Sequence, residues 1–257
     1  MFPRQPPTFF IFGILICLAL TLSCQTKMPK TQSGLTGFPT KILWAWERPE
    51  DLEFLDPKKF GVAFLAQTLE LKGERVIFNP RRQPLKVSPE TKLIAVTRIE
   101  SAKRSDNPAL SDVQREAAIK FVMKTLELKN ISAIQIDFDA AVSERDFYRR
   151  FLTDLRSQMP AEIPLSITAL ASFCVGDLWF ADLPVAEAVP MIFRMGADTA
   201  NIRSYLAAGN DFREPLCRQS YGIATDEPIK NSFDKTRRVY LFKVGGSWTE
   251  KDLKSFE

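Results

Sequence analysis

The chain has 257 residues, of which 45% are hydrophobic and 26% are charged, a balance typical of a folded globular protein. Its length permits one large domain or two small ones, and its net charge of +4 is too small to indicate a nucleic-acid partner. The sequence contains no histidine, which excludes Ser-His-Asp and Cys-His nucleophile systems and zinc sites with histidine ligands. Acid–base chemistry would therefore rest on Asp, Glu, Lys, Tyr or Cys.

The N-terminus has the pattern of a targeting segment. Arg4 precedes an apolar run over residues 9–22, which is too short for a comfortable membrane-spanning helix. Residues 20–24 (LTLSC) resemble a bacterial lipobox, which implies a signal peptide over 1–23 and a lipid on Cys24. Plain secretion and an uncleaved anchor are the alternatives. Gln25 replaces the Asp that favours inner-membrane retention, so the expected location is the cell envelope, with the outer membrane facing the periplasm favoured.

A tether follows the signal peptide. Residues 24–40 lack periodicity and are rich in polar, Gly and Pro residues, which predicts a flexible segment before a single domain over 41–257. Cys174 and Cys217 remain after cleavage. They could pair in an oxidising compartment, but their sequence separation leaves a disulfide and two buried thiols equally open.

From residue 41 onward, short apolar runs alternate with helical patterns. Strands are predicted at 41–47, 61–69, 93–99, 133–139, 165–171, 189–195, 221–225 and 238–244. Helices are predicted at 111–128 with Ser111 as N-cap, at 143–159, around 177–183, at 199–208 and after Thr249. Segment 74–87 predicts a β-hairpin with its turn at 79–82.

This alternation predicts an α/β fold with parallel strands. The leading candidate is a compact, somewhat irregular (β/α)8 TIM-type barrel in which the hairpin replaces an early helix. An open doubly wound sheet is the alternative, although no Gly-rich phosphate loop follows an early strand.

Functional side chains of such a barrel lie at the carboxyl ends of its strands. The fourth strand reads IQIDFDA over 134–140, and its apolar residues alternate with Gln135, Asp137 and Asp139. Because side chains alternate across a strand, we expect the apolar set to face the helices and the polar set to face the barrel interior.

The strand ends supply the remaining candidates. Asp139, Asp137 and Glu47 are candidate catalytic residues. Candidate substrate-binding residues are Trp46, Gln135, Thr168, Arg194 and Asp177. Structural alternatives stay open: Asp137 could simply bond Ser166 or Thr168, and Glu100 could simply pair with Arg98. Glu187 precedes a strand, at the wrong end for catalysis, and is expected at the surface or in a cap.

Three runs of the chain resemble a bacterial family known only as a domain of unknown function. They are IQIDFDAAVSERDFY, LSITALASFCVGDLWF and VAEAVPMIFRMG. The resemblance covers most of residues 41–245 and implies an exported barrel without an established reaction.

The chain is also remotely similar to family-eighteen chitinase-type glycosidases, whose fourth strand carries Asp-x-x-Asp-x-Asp-x-Glu with the glutamate as general acid. Matching Asp137 and Asp139 to the second and third aspartates places Ile134 at the first aspartate and Ala141 at the glutamate. Alanine cannot donate a proton, so another carboxylate, such as Glu47 or Glu144, would have to serve as the acid.

Three functions are therefore compared. The first is an envelope-tethered glycoside hydrolase in which Asp139 is the acid or an orienting carboxylate, Asp137 tunes its pKa and Glu47 assists. The second is a non-catalytic carbohydrate-binding barrel that has lost the glutamate. The third, ranked lower because no compact ligand motif appears, is a Mg²⁺ or Ca²⁺ site built from Asp137, Asp139 and Glu100.

The expected partners follow from the leading function. They are an oligosaccharide or polysaccharide in the barrel mouth and a membrane that holds the lipid on Cys24. We expect a monomer that uses no cofactor and binds no nucleic acid.

Overall fold

The computed structural model of the protein describes Met1 and residues 34–103, 106–177, 179–227, 229, 233–254 and 256. The predicted signal peptide beyond Met1, Cys24 and most of the predicted tether lie outside these residues. None of the helices in the described ranges is long and apolar enough to cross a membrane.

Eleven strands, five α-helices and four short 3-10 helices make up the regular structure of the described residues. The strands are β1 (Lys41–Ala45), β2 (Glu50–Asp51), β3 (Phe60–Lys72), β4 (Arg75–Pro80), β5 (Leu85–Lys86), β6 (Leu93–Ser101), β7 (Ile131–Asp137), β8 (Leu165–Leu170), β9 (Glu187–Met191), β10 (Ser220–Ala224) and β11 (Arg238–Phe242). The helices are α1 (Asp112–Lys124), α2 (Arg145–Gln158), α3 (Ala171–Val175), α4 (Thr199–Ala207) and α5 (Glu250–Leu253).

Eight of these strands close into a parallel barrel. Their order is β1, β11, β10, β9, β8, β7, β6 and β3, and a further parallel pairing of β3 with β1 closes the ring. The predicted (β/α)8 TIM-type fold is confirmed. Each of the eight predicted strands overlaps one strand of the barrel, with ends that differ by a few residues.

A hairpin takes the place of an early helix, but its turn is not where the sequence predicted it. β3 runs on beyond the barrel and pairs antiparallel with β4, with Lys72 opposite Arg75. The turn therefore lies at residues 73–74, where Gly73 has a φ of 50°, a conformation that favours glycine. The predicted turn at 79–82 is wrong because Arg81 crosses to the barrel rim, donating to the carbonyl oxygens of Trp46 and Arg48.

Two apolar layers hold the barrel together. The outer layer packs Ile134, Ile136 and Phe138 of the fourth barrel strand and its extension among the apolar residues of α1 and α2. The inner layer fills the barrel and includes Trp44 and Tyr240. The expected division of the IQIDFDA strand into a helix-facing set and an interior set is therefore correct.

The helix predictions hold except for one. α1 begins after Ser111, whose hydroxyl oxygen accepts from the Gln114 N–H at 3.2 Å, as expected for an N-cap. The helix predicted around 177–183 is wrong: the helical turn is α3, directly after β8, and the described residues of 177–183 form no helix. The helical turn forms at α3 because Phe173 and Cys174 pack against the outer apolar layer, and this burial outweighs the weak helical pattern of residues 177–183.

A disulfide joins α3 to the turn over Pro215–Arg218. Cys174 and Cys217 form this bond, with their Cα atoms 5.9 Å apart. Both side chains are buried. The alternative left open by the sequence is thereby decided in favour of a disulfide.

The base of the barrel contains a buried ion pair. Glu187 is 1% exposed, so the expectation that it lies at the surface is wrong. It accepts from Tyr240 Oη at 2.6 Å and from Arg238 Nη1 at 2.7 Å. Both groups reach it across the barrel interior, and Arg238 neutralises its charge. Arg238 also donates to the carbonyl oxygen of Leu35, a buried residue of the inner layer. The described end of the predicted tether thus packs into the barrel base.

Candidate active site

A cavity of about 280 Å³ opens among residues at and just beyond the carboxyl ends of the barrel strands. It is lined by Trp46, Arg98, Asp137, Asp139, Leu170, Ala171, Ser172, Met191, Phe193, Arg194, Met195, Asp198 and Phe242. Four residues predicted for the site are among them: Asp137, Asp139, Trp46 and Arg194.

Asp137 ends β7 and lies at the floor of this cavity. Its side chain is buried, and Thr168 Oγ1 on the neighbouring strand β8 donates to its Oδ1 at 2.7 Å. Arg98 Nη1 lies 3.8 Å from its Oδ2. Burial raises the pKa of Asp137, whereas the Thr168 hydrogen bond and the Arg98 charge act in the opposite direction. Asp137 is thus a buried carboxyl group with both oxygens facing a stabilising neighbour.

Asp139 lies two residues further on and reaches the open part of the cavity. It is exposed, and its carboxyl group forms no hydrogen bond or ion pair with any residue that the structure describes. Enough protein surrounds the group that loss of solvent raises its pKa, while the charge of Arg98 lowers it. Asp139 is therefore free to contact a ligand and to exchange a proton with it.

Aromatic rings form one wall of the cavity. The rings of Phe193 and Phe242 have centroids 4.7 Å apart, and Trp46 lies 6.3 Å from Phe242. Sequence reasoning named only Trp46 for this wall. Phe193 and Phe242, which complete the wall, are not among the residues that the sequence predicts for binding.

Arg194 is held over the cavity by acidic residues from the loop after β10. Its Nη2 donates to Asp226 at 2.8 Å, and its backbone N–H donates to Glu227 at 3.0 Å. Its φ of 49° is unusual for a residue other than glycine. Arg203 donates to the second oxygen of Glu227 at 2.7 Å, which supports this arrangement.

Arg98 is the main residue that the sequence analysis did not include in the site. The ion pair of Arg98 with Glu100, which the sequence left open, does form, with Nε 2.8 Å from Oε1. Arg98 also stands beside Asp137 in the register of β6 with β7. The signal for this second contact is the register between two strands, which a single sequence does not contain.

Four other predicted residues do not line the cavity. Glu47 accepts from the Arg82 N–H at 2.8 Å, and Asp177 pairs with Arg145. Gln135 is buried below the cavity, where it donates to Ser166 at 2.9 Å. The fourth is Thr168, whose hydroxyl group contacts Asp137 from beneath, as described above.

Asp198 also lines the cavity and, among the described residues, has no side-chain hydrogen bond or ion pair, but it was not predicted for the site. Glu144, considered as a replacement acid, is buried and accepts from the Ala141 N–H at 2.7 Å. Among the residues that the structure describes, no three acidic or cysteine side chains come together as a candidate metal site. Of the acids predicted for the site, Asp137 and Asp139 are therefore the two that line the cavity.

A second cavity, of about 430 Å³, lies outside the barrel between the hairpin and the end of α1. Two of its polar groups already have protein partners, since Gln67 donates to Thr97 and Phe121, and Arg81 donates to several carbonyl oxygens of the barrel rim. It contains no carboxylate, so the cavity at the barrel mouth is the better candidate for chemistry.

Comparisons with known proteins agree with this fold. A family model described as "Domain of unknown function (DUF3142)" matches residues 90–181, and no curated protein matches the chain. A solved structure of a proposed chitinase A from Streptomyces coelicolor is 8% identical over 80% of this chain and 92% of that one, with a TM-score of 0.51. A family GH18 chitinase from Chromobacterium violaceum is 9% identical over 80% of this chain and 79% of that one, also with a TM-score of 0.51. At such identities the likeness shows the fold alone: this chain is similar to GH18 chitinases in its TIM-type barrel.

Proposed function

We propose that this protein binds a carbohydrate in the barrel mouth and hydrolyses a glycosidic bond there. One observation carries the proposal: Asp139 presents a carboxyl group that has no partner among the described residues to a cavity that also holds the buried carboxyl group of Asp137. The rings of Trp46 and Phe193 on the same cavity offer apolar faces on which a sugar ring can pack. The remote likeness to chitinase folds adds support at the level of architecture.

The two carboxyl groups have environments suited to different tasks. Asp139 has a raised pKa and contact with solvent, so it can protonate the leaving glycosidic oxygen. Asp137 is fixed between Thr168 and Arg98, so its negative charge can stabilise positive charge that develops on the sugar. Glu47, proposed as a third acid, would have to leave its bond to the Arg82 N–H before it could take part.

Carbohydrate binding without turnover is the second candidate. It is favoured by Ala141, which stands where the resembling glycosidases carry their acid, and by Glu144, whose carboxylate is occupied by the Ala141 N–H. Both candidates use the same cavity and differ in whether Asp139 transfers a proton.

We further propose that the protein acts at the cell envelope as a lipid-anchored monomer. The lipobox-like residues 20–24 support this location. A radiolabelled fatty acid fed to producing cells should label the protein, and the Cys24→Ser variant should remain unlabelled. Equal labelling of both proteins would contradict the anchor without affecting the assignment of the barrel.

The function is tested with N-acetylglucosamine oligosaccharides, suggested by the chitinases of similar fold, and with a panel of bacterial envelope glycans. Binding is measured by calorimetry and hydrolysis by the release of reducing ends. The wild-type chain is compared with Asp139→Asn and with Asp146→Asn, an exposed aspartate of α2 that lies outside the cavity.

We expect Asp139→Asn to lose at least about a hundredfold in kcat, the size of a general acid's contribution, while binding and folding persist. Asp146→Asn should behave like the wild type. Binding without product in the wild type would select the second candidate. Unchanged turnover in Asp139→Asn would reject Asp139 as the acid, and no binding to any glycan of the panel would contradict both candidates.

A further inference from the structure

One guanidinium group lies next to the carboxyl group of Asp137 and lines the same cavity as Asp139. Arg98 projects from β6 at the level of Asp137 on β7, and its Nη1 lies 3.8 Å from Asp137 Oδ2. It also lines the cavity into which Asp139 opens, and its charge acts on Asp139 as well. Within the described residues, Arg98 is the one cation that forms an ion pair with Asp137.

We propose that Arg98 is a positioning residue: it holds Asp137 in place and in its carboxylate form, and thereby leaves Asp139 as the carboxyl group that exchanges a proton with the ligand. The catalytic part of this inference rests on the proposed function. Arg98 lies outside the predicted site and acts through Asp137.

The need for such a residue follows from the surroundings of Asp137. The side chain is buried, and removing water from a carboxylate favours its protonated form. Two further carboxylates, Glu100 and Asp139, add like charge. Thr168 from β8 donates to one oxygen, which leaves the other oxygen to Arg98. Without the guanidinium group of Arg98, Asp137 would be protonated more readily and would compete with Asp139 for the proton.

The helix behind the site supplies no competing charge. Tyr148 of α2 packs edge-on against Phe138, and its buried hydroxyl group has no hydrogen-bond partner among the described residues. Burial and the two nearby aspartates raise the pKa of Tyr148 well above its usual value, so the group stays neutral. The charged groups facing Asp137 are therefore Arg98, Glu100 and Asp139.

The geometry of Arg98 also indicates that a lysine cannot fully replace it. Nε is bonded to Glu100 at 2.8 Å, while Nη1 extends toward Asp137. A guanidinium group makes both contacts at once because its donors are spread over a planar fork, whereas an ammonium group is a single point charge. Arg98→Lys should therefore preserve the charge and part of the effect.

The test is a direct titration of the two aspartates in the full chain. Aspartate is labelled with ¹³C at the side-chain carboxyl, and its chemical shift is followed against pH by NMR. Asp137→Asn and Asp139→Asn assign the two signals. Arg98→Met removes the charge and Arg98→Lys retains it. Arg150→Met is the control for loss of an arginine charge, because Arg150 forms an exposed ion pair with Asp112 away from the cavity.

We expect Arg98→Met to raise the pKa of Asp137 by about one unit, the lower end of the effect of an opposite charge at this range. Arg98→Lys should give a smaller rise, and Arg150→Met should give none. A pKa of Asp137 that stays at its wild-type value in Arg98→Met would overturn the proposal. If that variant does not fold, Arg98→Gln, which keeps a hydrogen-bond donor, is titrated in its place and judged by the same criterion.

Catalysis gives an independent readout that separates the two proposals. If the wild type hydrolyses a glycan, the acidic limb of its kcat/KM profile should move to higher pH in Arg98→Met by the shift found for Asp137. A limb that does not move would contradict the role of Arg98 in the reaction. If no glycan is hydrolysed, the proposed function fails, yet the NMR titration still decides whether Arg98 holds Asp137 in its charged form.

Discussion

Thr168 should stabilise the protein in a manner that depends on the charge of Asp137. Its hydroxyl group is buried and donates to Asp137 Oδ1 at 2.7 Å. Valine has the same shape but no donor, so Thr168→Val removes this bond and leaves one oxygen of a buried carboxylate without its partner. Hydrogen bonds to charged groups contribute about 1.5–3 kcal/mol, so we expect the free energy of unfolding at pH 7 to fall by about 2 kcal/mol.

The expected loss is smaller in acid. Burial raises the pKa of Asp137 in the folded protein above its value in the unfolded chain, which is about 3.9. Stability due to this group therefore falls as the pH rises through the interval between the two pKa values. The Thr168 hydrogen bond lowers the pKa of Asp137 in the folded protein and so limits this loss of stability. In Thr168→Val that pKa is higher, so stability continues to fall up to a higher pH. Near pH 3 the carboxyl group is mostly protonated in both states, and the substitution should cost about 1 kcal/mol, as for a neutral hydrogen bond.

Urea unfolding followed by tryptophan fluorescence at pH 7 and pH 3 measures both quantities. Thr168→Ser is the matched control, since it keeps the donor and loses only a methyl group, a cost that should be the same at both pH values. A destabilisation of Thr168→Val that is equal at the two pH values would refute the assigned charge dependence. So would a loss at pH 7 no larger than that of Thr168→Ser.

Three further predictions concern stability. Replacing Cys174 and Cys217 with alanine should lower the free energy of unfolding by about 4 kcal/mol, the chain-entropy value for cross-linked residues 43 apart, as measured by urea unfolding against the oxidised wild type. Glu187→Gln removes the buried carboxylate that pairs with the partly buried Arg238 and should cost about 3 kcal/mol in the same assay, whereas Asp51→Asn, at an exposed ion pair, should leave the free energy of unfolding close to that of the wild type. Asp139→Asn removes a carboxyl group whose pKa is raised, so its melting temperature relative to wild type should increase as the pH rises above 4; a decrease would contradict the raised pKa.

Features that depend on local alternation could be predicted from the sequence. The IQIDFDA strand divides its side chains between two environments because consecutive residues of any strand point to opposite faces. The structure places Ile134 and Ile136 in the outer layer and Asp137 at the cavity, as the alternation requires. The number and order of the strands could also be predicted, because repeated units of strand and helix close into a barrel when about eight are present.

Features that depend on register or on contacts across the barrel could not be predicted. Arg98 meets Asp137 because β6 and β7 pair in one particular register. Glu187 is buried because Arg238 and Tyr240, more than fifty residues later, reach it through the interior. Arg98 and Glu187, each taken in its own stretch of sequence, are ordinary surface charges, and only the closed barrel supplies the partners that they meet.

The missing glutamate of the chitinase-type motif changes how the site must be interpreted. Two hydrogen bonds join Ala141 and Glu144. The Ala141 N–H donates to the Glu144 carboxylate at 2.7 Å, and the Glu144 N–H donates to the Ala141 carbonyl oxygen at 2.9 Å. This pair closes the turn that leads into α2, so the nearest glutamate is used for structure. For the proposed hydrolysis, the acid would come from the cavity itself. Asp139 and Asp198 both line it as exposed carboxylates without a side-chain partner among the described residues, whereas Asp137 has Arg98 beside it. We propose Asp139 as the acid because burial raises its pKa and because it follows Asp137 on the same strand end, so the question is whether its proton can reach a bound glycosidic oxygen.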